Sequence, residues 1–278
     1  MLLGLNKSIH NINVLHILLK NMEKNIILLS SHFYNNRIQA KYERIANELD
    51  VNKYGILLLF NKDEEAIDIV AKDVKSYATD SNSINELRYN PITNTLLPGS
   101  CHFPVLRFFL DNPEYHHYWF IEYDVEFTGK WDVLMNDCDT NLDGYDFLSC
   151  HIERFDETNK DWGWWHHCND SGYPLTECIK GFNPICRYSN KALDCLNKYL
   201  KQGYSAHSEV MLTTCLYHHG FKIGDIGGTG EFTPHGYRNK YYVQGRGVNN
   251  GTMRWRPLYT MEEIEALGTK NKLFHPIK

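Results

Sequence analysis

The chain has 278 residues, of which 42% are hydrophobic and 13% aromatic, and 34 acidic against 29 basic residues give a formal net charge of −5. This acidic balance argues against a non-specific nucleic-acid binder, which shows a basic excess or patch. The length suits one large domain or two modest ones.

Residues 1–24 read as a leader or extra helix. Their apolar stretch, 9–19, contains His10, Asn11, Asn13 and His16. It is too short and polar to span a bilayer and lacks a small-residue cleavage pattern. An amphipathic helix lying on a membrane surface is the other reading. Residues 25–32 read as a buried first strand and 37–49 as a helix. A second strand over 54–60, a helix over 64–72 and a short strand over 74–78 follow. Strands alternating with helices imply a parallel sheet with crossover helices. Residues 85–100 are polar and broken by Pro91, Pro98 and Gly99. A helix over 103–110 closes at Asn112-Pro113, and a strand over 118–125 follows.

The second half is less regular. A short helix is expected over 131–136 and a strand over 145–151. Residues 153–178 form an aromatic, polar loop. Helices follow over 189–200, capped by Ser189, and 207–219, ending before Gly220. A strand over 221–226 leads into glycine-rich 224–230, which has no phosphate-loop pattern and reads as a turn. The tail, 227–278, is rich in Gly, Tyr, Arg and Asn. With no internal repeat or linker, one α/β domain over 25–278 is expected. Eight cysteines are present, none in a C-x-x-C pair. A structural zinc site is not expected from that spacing, and the thiols read as reduced in a cytoplasmic protein.

Trp119-Phe120-Ile121-Glu122-Tyr123-Asp124-Val125 is the most informative stretch. An apolar run ends in two carboxylates spaced i, i+2, which a strand sends to one face. Paired acids at the end of a buried strand suit a hard divalent cation that also holds phosphates. Taken alone, the pair also describes a solvated strand end. His207-Ser208-Glu209 leads a helix. Glu209 either serves the first helical turn, where the dipole stabilises a carboxylate, or acts as a general base. His207 is a second candidate for that base. His275, in Phe274-His275-Pro276, is a candidate third metal ligand. Trp162, Trp164 and Trp165 form either a stacking surface for sugars or a small core pinning the loop.

The order of these pieces resembles the GT-A-fold glycosyltransferases, which use nucleotide-sugar donors. A βαβ half precedes an acidic strand-end motif. Then come Gly181-Phe182-Asn183-Pro184, a helix-leading Glu209 and a late His275. The texture also resembles one branch of these enzymes. It has a Trp-x-x-Glu-x-Asp-Val strand before a Thr-Gly turn, here Thr128-Gly129, then a His-x-Glu before a helix and a His-Pro near the end.

The resemblance implies a Rossmann-type mixed, mostly parallel central sheet flanked by helices, with a loop-rich C-terminal half. Residues 25–125 would bind the nucleotide sugar and 126–278 the acceptor. Asp124 and His275 would hold Mn²⁺ or Mg²⁺. Glu122, Asp124, Ser30, Ser31 and His32 would lie at the donor. Trp164, Trp165, Gly181 and Phe182 would lie at the acceptor, with Glu209 or His207 as the base. The chain departs from the superfamily's x-E-D motif, because Val210 stands where its Asp would be. The implied activity is metal-dependent transfer of a sugar, in polysaccharide biosynthesis, from a UDP- or GDP-sugar to a hydroxyl of a glycan or glycolipid. Two other readings are a sugar-phosphate nucleotidyltransferase and a non-catalytic carbohydrate-binding protein. Peripheral attachment to the inner face of a membrane is compatible with the first.

Overall fold

The computed structural model describes residues 25–62, 74–93, 96, 99–168, 170–245 and 251–278. The leader 1–24 and the helix expected over 64–72 lie outside these. The described strands are β1 (Asn25–Ser31), β2 (Tyr54–Asn61), β3 (Ser76–Thr79), β4 (His117–Glu122), β5 (Glu126–Phe127), β6 (Phe147–Arg154), β7 (Ile179–Ser189), β8 (Ile223–Asp225) and β9 (Leu273–Phe274). The helices are α1 (Asn36–Glu48), α2 (Ser81–Asn85), α3 (Phe103–Asp111), α4 (Trp131–Asn141), α5 (Asn190–Leu200), α6 (Ser208–His218) and α7 (Met261–Leu267).

Seven strands form one sheet in the order β3-β2-β1-β4-β7-β6-β8, and β5 pairs with β9 separately. The β3–β2, β2–β1, β1–β4 and β6–β8 pairs are parallel, while β7 runs antiparallel to both neighbours. The sheet is therefore mixed and mostly parallel, as the resemblance implies. Its central strands are apolar on both faces because both faces are covered. Leu28, Tyr118 and Phe120 pack on one side with Leu106 of α3, Leu196 of α5 and Met211 of α6. Ile27, Leu29, Trp119 and Ile121 pack on the other with Ile45 of α1 and Trp131 of α4.

Local chemistry sets the helix ends. Asn35 caps α1 by accepting from the backbone N–H of Arg37 and Ile38, and Ile38, Tyr42 and Ile45 form its buried stripe. Ser189 caps α5 as expected, accepting from Ala192 N–H. α6 is buried nearly all round, from Val210 to Leu216. It is a core helix lying on β7 rather than an amphipathic surface one.

The expectations needed correction in several places. β4 stops at Glu122, and Tyr123-Asp124 form a turn closed by Val125 N–H donating to Glu122 O at 3.1 Å. The expected strand over 118–125 is too long. β3 lies further along than 74–78. β6 begins and ends later than 145–151, and α4 runs to Asn141. The largest omission is β7, eleven residues at the centre of the sheet. Its sequence contains Lys180, Gly181, Asn183, Pro184 and Arg187, which mask a strand pattern. Arg187 is fully buried there. Its guanidinium is 2.8 Å from Asp139 Oδ1 and donates to the carbonyls of Cys138, Leu142 and Tyr145.

Candidate active site

β4 delivers Glu122 to the carboxyl edge of the sheet, and the turn after it delivers Asp124. Two ties hold that turn. Lys41 of α1 donates to Tyr123 O at 3.1 Å and also to Val125 O. Ile277 N–H donates to Asp124 O at 3.0 Å. The segment after β9 runs alongside and presents His275. His275 Nδ1 lies 2.7 Å from Arg254 O. A carbonyl only accepts, so Nδ1 carries the hydrogen and Nε2 faces the acids. Nε2 is 3.6 Å from Glu122 Oε2 and 3.5 Å from Asp124 Oδ1.

Ligand atoms of Glu122, Asp124 and His275 all lie within 4.8 Å of one another. Asp124 Oδ1 is buried without a hydrogen-bond partner. An orphaned, buried carboxylate oxygen is costly unless something positive meets it. Two carboxylates and an imidazole with an oriented second nitrogen fit a divalent cation. Burial lowers the His275 pKa, but the Glu122 and Asp124 carboxylates outweigh it and raise the pKa above its ordinary value. The two carboxylates thus favour positive charge at the position that suits a cation.

These three residues line a cavity of about 520 Å³ together with Phe33, Arg37, Tyr123, Trp164, Phe182, Glu209 and Arg256. Glu209 sits in the first turn of α6. Its carboxyl is pushed up to about 8 by burial and by the nearby charge of Glu122, against the opposing pull of Lys180. Dipole stabilisation of Glu209 is thus outweighed by desolvation. A second cavity of about 450 Å³ is lined by His151, Trp162, Lys180, Gly181, Gln244 and Arg254. Glu209 and Phe182 line both cavities.

His207 is the N-cap of α6, and its Nδ1 accepts from Glu209 N–H at 3.2 Å. Burial, with repulsion from His167 and His166, lowers its pKa to about 4. Its ring stacks on Trp164 at 4.5 Å. Nδ1, the nitrogen through which a neutral His207 would accept a proton, is thus already engaged by the end of α6.

The expected acceptor residues separate. Trp164 lines the first cavity, whereas Trp165 is 4% exposed. The Trp165 indole donates to Asn159 O, and its ring packs on Phe155 and Trp162. Trp165 therefore pins the loop, and Trp162 faces the second cavity in its place. Gly181 and Phe182 lie in β7. A Cβ on Gly181 would come within 3.0 Å of Thr213 Cγ2, so glycine lets β7 lie against α6. Phe182 packs edge-on to His275 at 5.1 Å.

The expected donor residues Ser30, Ser31 and His32 sit beside the first cavity without lining it. Ser30 pairs with Glu122 across the sheet. Ser31 is buried and donates to Phe33 O at 2.7 Å. His32 packs edge-on to Tyr123. Phe33 and Arg37 reach the cavity from this corner instead, Arg37 while donating to Ile277 O at 3.0 Å. Sequence reasoning missed both, along with Arg256. The one signal for Phe33 and Arg37 was position, just past the carboxyl end of β1.

Neither a family model nor a curated protein matches the sequence. Among solved structures, the chain is similar to mouse xyloside xylosyltransferase 1, with TM-score 0.41 and 11% identity over 73% of this chain and 84% of that one. It is also similar to 4-diphosphocytidyl-2C-methyl-D-erythritol synthase from Anaerococcus prevotii, with TM-score 0.43 and 10% identity over 76% and 91%. A glycosyltransferase involved in glycosylation of the major capsid of PBCV-1 matches with TM-score 0.28 and 14% identity over 62% and 63%. Among the described residues, no helix is long and apolar enough to cross a membrane.

Proposed function

We propose that the chain is a metal-dependent glycosyltransferase that moves a sugar from a UDP- or GDP-sugar to a hydroxyl of a glycan or glycolipid, with inversion. One observation carries this reading. Glu209 faces two adjoining cavities, and one of them holds the Glu122–Asp124–His275 cluster.

In this reading the first cavity takes the donor. Asp124 and His275 would hold Mn²⁺ or Mg²⁺, and Glu122 would lie on the donor side. A divalent ion held there would supply positive charge for the diphosphate leaving group. Arg37 and Arg256 add positive charge to the same wall. The second cavity takes the acceptor against Trp162, with Gly181 and Phe182 as its floor. Glu209 accepts the proton of the acceptor hydroxyl as that oxygen attacks the anomeric carbon. The new C–O bond forms while the bond to the diphosphate breaks, and the electron pair leaves with the diphosphate. A carboxyl with its pKa raised toward neutrality suits a general base.

Calorimetric titration with UDP- and GDP-sugars, with and without Mn²⁺, tests donor binding. Transfer assays on simple glycosides then test the reaction. Release of a nucleoside diphosphate supports the proposal. Release of pyrophosphate from a nucleoside triphosphate and a sugar phosphate would assign a nucleotidyltransferase. Absence of nucleotide binding at millimolar concentration would leave only carbohydrate binding.

A further inference from the structure

Away from that site, α5 and α6 bring three metal-binding side chains together. Cys195 lies in the middle of α5, Cys215 near the end of α6 and His219 just beyond it. The i, i+4 spacing places Cys215 and His219 on one side of α6. Cys215 Sγ is 3.7 Å from His219 Nδ1, which is also 2.8 Å from the Cys215 carbonyl. Ligand atoms of all three residues lie within 4.8 Å of one another. A tetrahedral zinc ion, with Zn–S of about 2.3 Å and Zn–N of about 2.0–2.1 Å, spaces its ligands roughly 3.5–3.8 Å apart. The Cys215–His219 edge already has that length, and Cys195 Sγ lies within 4.8 Å of both other ligand atoms.

We propose that Cys195, Cys215 and His219 form a second metal site, selective for zinc or a similarly soft divalent ion. Two sulfurs and an imidazole suit such an ion, whereas the oxygen-rich Glu122–Asp124–His275 cluster suits a harder one. All eight cysteines are free thiols in the structure, so both sulfurs are available. Cys215 is buried, Cys195 half-buried and His219 exposed, which leaves a solvent-facing position for a water ligand. On loading, each thiol releases one proton to solvent as its sulfur becomes a thiolate ligand. The imidazole proton moves from Nδ1 to Nε2 as Nδ1 turns from the carbonyl to the ion. The ion would clamp the C-terminal end of α6 to α5. Glu209 begins the same helix at its other end. The absence of a C-x-x-C pair therefore does not exclude zinc, because this ligand set is assembled by two packed helices.

The test is a Co²⁺ titration of the full-length, reduced, metal-stripped protein. The expected result is a near-ultraviolet thiolate-to-cobalt absorption band that saturates at a single equivalent and is bleached by Zn²⁺. The band should survive Asp124→Asn, which disables the acidic cluster, and disappear in Cys195→Ser. His219→Ala should weaken Co²⁺ binding by at least about tenfold. Cys195 and His219 are both reachable by solvent, and matching circular dichroism melts would establish that these variants fold. Absence of the band in the wild type, or its persistence in Cys195→Ser, would overturn the site. So would an intact mass lighter by two hydrogens that reduction restores, with cleavage mapping to a Cys195–Cys215 disulfide.

Discussion

His275 Nε2 lies 3.5 Å from Asp124 Oδ1, and that oxygen has no hydrogen-bond partner. One residue follows a strand of the first half of the chain, and the other comes from the last few residues. Replacing either should remove the metal response. Asp124→Asn or His275→Ala should lower Mn²⁺-stimulated kcat/KM by about 100-fold or more, roughly 3 kcal/mol of transition-state stabilisation. Initial rates across a Mn²⁺ series measure this. Metal stimulation undiminished in Asp124→Asn would refute the assignment.

Glu209 should control the pH dependence of transfer. A base must be ionised, so kcat/KM should rise with pH and level off above about 8, the pKa that burial and Glu122 give this carboxyl. Glu209→Gln should lower kcat by about 10²–10⁴-fold and leave donor affinity nearly unchanged. A fall in donor affinity matching the fall in kcat would instead place Glu209 in donor binding.

The same carboxyl should also affect stability. Its folded pKa is raised, so its contribution is full below pH 4.5 and is lost as pH rises toward about 8. Glu209→Gln should therefore stabilise the protein at pH 8 relative to the wild type, by on the order of a few kcal/mol, and much less at pH 4.5. Urea denaturation at the two pH values compares them. An equal difference at both would mean that Glu209 ionises normally.

His102 predicts the opposite trend in acid. Burial and the neighbouring His207 lower its pKa to about 3, and neither ring nitrogen has a hydrogen-bond partner. Its contribution is full above the unfolded value of 6.5 and is lost as pH falls toward about 3. The wild type should lose up to about 1.4 kcal/mol per pH unit from this group. His102→Leu should flatten the slope between pH 6 and pH 4, as followed by thermal melts. An unchanged slope would show that His102 is not the group responsible.

Asp139→Ala should leave the Arg187 guanidinium buried without its carboxylate partner. Breaking one side of a buried ion pair costs about 3–5 kcal/mol. Chemical denaturation should show a loss of that size. A loss below about 1 kcal/mol would mean that the three carbonyls alone satisfy Arg187.

Strands β1, β2 and β4 were legible in the sequence because they are nearly uniform apolar runs. The apolar runs around Ile27 and Leu58 needed only composition. β7 was not legible, because its polar residues are satisfied by partners far away in sequence, such as Asp139 for Arg187. At the candidate site, Glu122, Asp124, Glu209 and His275 could be picked out singly from residue type and position. Their convergence could not, since it depends on where β7 and the C-terminal segment run. Trp164 and Trp165 are adjacent in sequence yet face a cavity and a loop core respectively. An aromatic cluster without periodicity does not reveal which ring turns inward.

The backbone tie from Ile277 to Asp124, with Arg37 holding Ile277 in turn, also bears on biosynthesis. The first half of the sheet can pair while the ribosome is still making the second. The acidic turn acquires its tie and its imidazole only after residues 275–277 have emerged. A nascent chain would therefore carry the strands that lead to the acidic turn before it carried the complete candidate metal centre.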